Sequence, residues 1–411
     1  MKTLLVIGYV WPEPNSSAAG SRMMQLLQFF LSQNYKITFA TTAAETVHMA
    51  DLGELGIESV TIALNNASFD SFIKKLNPNI VLFDRFMMEE QFGWRVSNEC
   101  PNALKILDTE DLHFLRNLRE LEFKNQLSIT TFLSDLAKRE LASIYRCDLS
   151  LIISEKELQL LVEDYNIPAS LLFYLPFLLE PSNAVDLPEY EERKHFVSIG
   201  NFRHQPNFNA VLYLKEEIWP LIMKKLPKAE MHIYGSYPSQ KVTQLQNIKD
   251  RFYIKGWAQD SRKVVSNAKV SLAALRFGAG LKGKLVETMQ CGTPSITTSV
   301  GAEGINDTLP WNGFIKNSPK AFADTAITLY TEKDIWYDAQ QKGFEILNIR
   351  FSKTEHTLRF ADRLKYGIEH LEAERHNNIF GQILDHHLLK STYYLSKYIE
   401  TKNKLESTQN K

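Results

Sequence analysis

The stretch Arg276–Thr298, RFGAGLKGKLVETMQCGTPSITT, decides the fold, because it joins a glycine-rich turn, the start of an amphipathic helix and a buried strand. Just before it, VSLAAL (Val270–Leu275) is an apolar run of strand length, and Gly278, Gly280 and Gly283 then give a backbone free to take positive φ. Leu281, Leu285, Thr288 and Met289 recur at helical spacing, which puts Lys282 and Lys284 in the first turn beside N–H groups that no helical carbonyl reaches. A helix start carries about half a positive charge, so two lysines there are unfavourable unless an external anion, phosphate above all, offsets them. Glu287, one turn after Lys284, would be repelled by such an anion but can reach past it to the vicinal hydroxyls of a ribose. Cys291-Gly292-Thr293-Pro294 stops the helix, and PSITT starts the next strand. Turn glycines and solvated lysines alone would also produce a glycine-rich turn; the specificity lies in the whole string.

That string, Gly278-Ala-Gly-Leu-Lys-Gly-Lys-Leu-Val-Glu287, resembles the nucleotide-sugar-binding segment of retaining glycosyltransferases of family 4, the glycosyl transferases group 1, which have the GT-B fold. The resemblance implies that Lys284 and Lys282 hold the diphosphate of a nucleoside-diphosphate sugar and that Glu287 holds its ribose. The family's common pattern has a further glutamate eight residues before the ribose one, facing the donor sugar. Here that position is Ala279, and the N–H groups of Gly280 and Leu281 are the candidates to replace it.

Working outward, 411 residues exceed one typical core and predict two domains. The formal net charge of −1 gives no global reason for binding nucleic acid or a membrane. Cys100, Cys147 and Cys291 are odd in number and lack metal-ligand spacing, which fits a reduced cytoplasmic protein without a metal site. No run approaches the roughly 20 apolar residues of a membrane span, and the opening MKTLLVIGYVWPEP reads as a strand and turn, too short in its apolar part for a signal sequence.

In the first half, TLLVIG, KITFATT, ESVTIAL, NIVLFD, LKILDTE and LSLIIS read as strands. Ser68–Leu76, Met88–Asn98 and parts of Leu112–Tyr145 read as helices between them, as does an early helix carrying Met23, Leu26, Leu27, Phe30 and Leu31 on one face. Such alternation predicts a doubly wound α/β domain that meets ligands at the carboxyl ends of its strands. The loop after the first strand, with Asn15, Ser16, Ser17, Gly20 and Arg22, resembles the family's glycine loop at the interdomain cleft. Asp84 and Arg85, then Asp108, Asp111 and His113, also sit on strand ends, where a lone aspartate is more often a cap. By resemblance, His113 stands near the transferred sugar and the acceptor. Arg116, Arg119, Lys124, Lys138 and Arg139 give two readings: a basic surface for an anionic acceptor or for peripheral contact with the inner face of a membrane, or a solvated face. The interspersed acids favour the solvated face.

Leu179–Lys194, polar and holding Pro181 and Pro188, reads as a linker. Residues 1–178 then form an acceptor domain, 195–350 a nucleotide-sugar domain, and 351–411 an extended set of helices returning to the first domain. In the second domain HFVSIG, EMHIYG and FYIKG read as strands, with helices over Asn207–Lys225 and Asp260–Asn267. The resemblance makes Arg203, in the loop after HFVSIG, a third phosphate ligand, although the family's usual Lys-Gly is Pro206-Asn207 here. The loop Lys255-Gly256-Trp257-Ala258 would lie beside the nucleotide base, where Trp257 has two readings, stacking on the base or packing under the loop. In the tail, Ile379, Ile383, Leu384, Leu388, Tyr394, Leu395 and Tyr398 predict docking on the body or on a second copy as a homodimer, and His386-His387 lacks a spaced partner for a metal.

These readings converge on an enzyme that moves a hexose from a nucleoside-diphosphate sugar to a glycan, lipid-linked or protein acceptor, with retention by resemblance and without metal or other cofactor. His113, Arg203 and Lys284 carry the chemistry. The rivals are a nucleotide-sugar epimerase of the same fold and a non-catalytic assembly subunit.

Overall fold

The computed structural model describes residues 2–126 and 133–409. The first sheet has strands β1 (Lys2–Gly8), β2 (Tyr35–Thr41), β3 (Glu58–Thr61), β4 (Ile80–Asp84), β5 (Leu104–Asp108), β6 (Leu149–Ile152) and β7 (Leu172–Tyr174), all parallel, in the order β3-β2-β1-β4-β5-β6-β7. The second has β8 (Lys194–Ile199), β9 (Met231–Tyr234), β10 (Phe252–Gly256), β11 (Ala268–Ala273), β12 (Ser295–Thr297) and β13 (Gly313–Ile315), again parallel, in the order β10-β9-β8-β11-β12-β13. Strand order reverses between β1 and β4 and between β8 and β11, the points at which a doubly wound sheet opens a ligand crevice.

Helices on both faces explain the near-continuous apolar runs of the strands. On one face of the first sheet Leu5, Val81, Phe83 and Leu107 pack with Phe69, Phe92 and Ile144; on the other Leu4, Val6, Leu82 and Ile106 pack with Leu26, Phe30 and Phe360. Phe360 belongs to the helix Lys353–Glu369, which therefore crosses back from the second domain to the first. Beside the linker, Leu179 pairs with this returning segment through Leu179 N–H to Phe351 O and Lys353 N–H to Leu179 O, both 2.9 Å. The linker's Arg193 is buried against the second domain and donates to Thr293 Oγ1 at 2.7 Å and Cys291 O at 3.1 Å.

Several elements differ from the expected ones. Met88–Asn98 extends to Phe86–Glu99, and Leu112–Tyr145 becomes His113–Phe123 and Asp135–Arg146, with residues 127–132 outside those described. Strands β7 and β13, three residues each, are too short to show a period. The helices Glu155–Glu163, Pro319–Thr331 and Lys333–Arg350 are additional.

The final helix, Ile379–Gln409, docks on the first domain, but not by the apolar face expected of it. Ile379, Ile383, Tyr394, Leu395 and Tyr398 are 48–70% exposed. The docked face combines small and polar groups with one aromatic contact: Arg95 donates to Ser396 Oγ at 2.8 Å, Asp385 lies 3.7 Å from Lys105, a Cβ on Gly381 would fall 2.2 Å from Tyr145 O, and Tyr393 stands edge-on to Trp94 at 5.6 Å. Close backbone approach, an ion pair and the Tyr393–Trp94 contact hold this helix. Among the described residues, no helix is long and apolar enough to cross a membrane.

Candidate active site

A cleft of about 1400 Å³ lies between the sheets, lined from both domains by loops at the carboxyl ends of the strands. On the first domain's side, the turns after β4 and β5 hold Arg85 and Glu110 at φ 72° and 62°, a left-handed backbone that strains any side-chain-bearing residue. Glu110 faces the cleft with its carboxyl pushed up to about 8 by burial and by Asp108 and Asp84. Asp108 is itself committed, being forked by the buried Arg22 at 2.9–3.2 Å. Arg22 also donates to Leu175 O at 2.7 Å, so it pins β5 to the segment after β7 and does not face the cleft. Asp84 likewise turns inward and accepts Tyr9 N–H at 3.0 Å. Gly20 is structural as well: a Cβ there would fall 2.4 Å from Glu13 backbone atoms, while its neighbours Ala18, Ala19 and Ser21 line the cleft.

His113 does face the cleft, at the first position of its helix. Its N–H donates to Glu140 Oε1 at 3.1 Å, and its ring lies 3.5 Å from Asp111 and edge-on to Phe86. Burial pushes the imidazole down to about 3, so it is neutral at neutral pH despite the neighbouring carboxylate. Asp111 is held below its ordinary value because Arg116, with contacts of 2.7 and 2.5 Å, and His113 outweigh its burial. The five basic side chains of this stretch each meet a carboxylate: Arg116 with Asp111, Arg119 with Glu303, Lys124 with Glu120, Lys138 with Asp135 and Arg139 with Glu90. The stretch is a neutralised face.

On the second domain's side the glycine turn leads to a helix over Gly283–Gln290, two residues later than the period predicts, because Lys282 takes the cap position at φ −84° and ψ 83°. The N–H groups of Leu281, Lys282 and Lys284 make no hydrogen bond within the described chain. Lys284 extends over Gly200, where a Cβ would lie 2.7 Å from its Nζ, and donates to Asn207 Oδ1 at 2.5 Å. Its ammonium has no carboxylate partner among the described residues, and burial alone pushes it down to about 8. Lys282 is engaged differently, donating to Gly280 O at 2.7 Å near Glu303 and Glu157. Glu287 accepts Ser261 Oγ–H, and burial raises its carboxyl above the ordinary value. Around it, Trp257, Ala258, Asp260 and Arg262 line the same end of the cleft.

Arg203 departs from its expected place. Its guanidinium lies 3.5 Å from the centre of the Tyr237 ring, on an exposed loop, and the cleft position is taken by the adjacent His204. Gly280 also departs: its N–H donates to Glu157 Oε1 at 2.8 Å and is not free for a ligand. Trp257 stacks on His48 of the first domain at 4.5 Å and donates to Asn15 O at 3.2 Å. Glu303, in the loop after β12, joins Arg119 in a two-pronged ion pair at 2.7 and 2.9 Å. Thus the cleft is bridged at both rims. Sequence reasoning missed His204 and Glu157, and it singled out Arg119 only as part of a basic or solvated face; a glutamate three residues into a helix reads as an ordinary favourable charge at a helix start, and His204, in a loop, carries no period.

The fold that these two sheets define is the GT-B fold of glycosyltransferases. Residues 193–332 match the family described as Glycosyl transferases group 1. A search of curated proteins gave no match. Among solved structures, S. aureus TarM is similar at 11% identity over 88% of this chain and 99% of that one, with a TM-score of 0.68. A glycosyltransferase from Rickettsia africae is similar at 14% identity over 89% and 98%, with a TM-score of 0.65. The pneumococcal O-GlcNAc transferase GtfA is similar at 12% identity over 90% and 99%, with a TM-score of 0.64.

Proposed function

We propose that this glycosyltransferase moves a hexosyl group from a nucleoside-diphosphate sugar, bound by the second domain, to a hydroxyl of a glycan, lipid-linked or protein acceptor presented by the first. The observation that carries this reading is Lys284: a desolvated cation that has no carboxylate partner among the described residues, beside three N–H groups at a helix start that are unbonded among them. An anion with several oxygens satisfies all of them, and a diphosphate does so while leaving Glu287 and Ser261 for the ribose. The base then lies by Trp257 and Ala258.

In the reaction the bond between the anomeric carbon and the diphosphate oxygen breaks, the electron pair leaves with the diphosphate, and the acceptor hydroxyl oxygen forms the new bond as its O–H bond breaks and the proton passes to the departing diphosphate oxygen. Charge growing on the leaving diphosphate is stabilised by Lys284 and the helix start, preorganised in the cleft. This reading assigns no step to a metal, and Arg203 is left out of the diphosphate site because it points to Tyr237. Neutral His113 serves as a hydrogen-bonding group on the sugar and acceptor side. Retention follows the family resemblance.

Calorimetry with UDP-, GDP-, ADP- and dTDP-sugars tests the donor site, starting with uridine because the similar S. aureus and pneumococcal structures contain UDP. One base class should bind, and Glu287→Gln should weaken it about tenfold, the scale of one charge-assisted hydrogen bond. Absence of binding to every nucleotide sugar would remove the proposal.

A further inference from the structure

The loop that opens the phosphate-binding helix is held largely from the other domain. Ala279 is 8% exposed and packs into the first domain's core with Leu107 and Leu112. Gly278 O accepts from Arg119 at 2.8 Å. Gly280 stands at φ 62°, where a Cβ would meet that of Asp111 at 2.7 Å. Its N–H goes to Glu157 Oε1, and the same oxygen accepts Leu112 N–H at 3.1 Å, one residue before His113. Glu157 is fully buried, and its second oxygen, Oε2, has no partner among the described residues.

Burying a carboxyl group with one oxygen unpartnered is expensive, and a helix-start charge does not require it. What the burial achieves is geometric: one oxygen joins the backbone before His113 to the backbone before Lys282 and Lys284. We propose that Glu157 is a positioning residue that sets the phosphate-binding helix start from across the cleft, an inference resting on the nucleotide-sugar reading above. When the domains part, Gly280 loses Glu157 and Gly278 loses Arg119, and the loop is free to turn the N–H groups of Leu281 and Lys282 away from a diphosphate. The donor site is therefore complete only in the closed cleft, and Glu157 fixes its register to His113.

The test uses the full chain and the nucleotide sugar that the wild type binds in the calorimetric panel. Glu157→Ala removes the oxygen and should weaken binding about tenfold, the scale of a lost hydrogen bond to a charged group. Turnover should fall by about a further tenfold or more, since misplacement by about an ångström can cost on the order of a hundredfold. Glu157→Gln keeps the oxygen and should stay within about threefold of the wild type, well under the tenfold that 1.4 kcal/mol represents. Should the alanine chain fail to fold, Glu157→Asp, which withdraws the oxygen by one methylene, is expected to show the same losses. A purely structural role would lower the melting temperature and leave the affinity of the folded protein unchanged. Wild-type affinity and turnover in a folded Glu157→Ala or Glu157→Asp chain, with Lys284→Ala weakened, overturn this inference alone. A wild type that binds no nucleotide sugar removes both readings.

Discussion

The two faces of the cleft handle charge in opposite ways. On the first domain's face Arg116 meets Asp111 and Arg119 reaches across to Glu303 of the second domain, while beneath that face the buried Arg22 meets Asp108. On the second domain's face, among the described residues, Lys284 donates to the neutral Asn207 and meets no carboxylate, and the helix start keeps three unbonded N–H groups. A face whose charges are already paired holds its own shape, and its carboxylates repel an anion. A face with unpaired positive groups is incomplete until an anion arrives. This difference supports the proposed placing of a diphosphate on the second domain, with the first shaping the cleft.

The largest effect should come from unpairing the paired face. Arg22→Ala leaves the fully buried Asp108 carboxylate without its fork, and removal of one partner from a buried pair costs about 3–5 kcal/mol. Denaturant unfolding should show that loss. A loss below about 1 kcal/mol, the range of a surface ion pair, would mean that the pair is not the scaffold described. The complementary change on the unpaired face should do the reverse. Lys284→Ala should lower turnover by about 10²–10³-fold, as for one lost preorganised charge contact, while leaving the melting temperature unchanged or raised, because it removes a desolvated cation that no carboxylate among the described residues pairs. An unchanged rate would exclude Lys284 as a diphosphate ligand and erase the contrast between the faces.

How much of this was legible follows from what has a period. The longer strands β1, β2, β4 and β5 and the helix Ser68–Leu76 stand where apolar patterning puts them, and the strand, glycine turn and helix around Lys284 and Glu287 read correctly apart from the two-residue shift at the cap. Arg203 and His204 differ by one position in a loop without a period, so sequence alone had no means to choose which enters the cleft. Arg22 and Asp84 were legible as polar residues after or at strand ends, but their inward turn depends on Leu175 O and Tyr9 N–H, partners 153 and 75 residues away in sequence. In the tail, patterning revealed an apolar face on Ile379–Gln409 without revealing which face docks; Gly381 and Ser396 settled that by allowing close approach.

The smallest expected effect, and the one that sharpens the contrast most, is in the pH profile. Lys284 is pushed down to about 8 by burial, so it is charged below that pH and neutral above it, and kcat/KM for the donor should fall as pH rises through about 8. A bound diphosphate restores a partner to the ammonium and raises its pKa, so the limb in kcat should lie at higher pH than the limb in kcat/KM. The paired face titrates in the same window: Glu110 and Glu140 are pushed up to about 8 and Glu157 to about 7, all chiefly by burial. Because these carboxyls hold protons that the unfolded chain has already released, their contribution to stability falls as pH rises from about 4.5 to 8. His113, pushed down to about 3, works the other way between about 3 and 6.5. The two origins separate in Lys284→Arg, which keeps its charge far above pH 8. If Lys284 sets the limb, the arginine variant loses it, whatever its absolute rate; if the limb stays at the same pH, the carboxyls of the first domain set it, and the division of charge between the two faces does not control donor use.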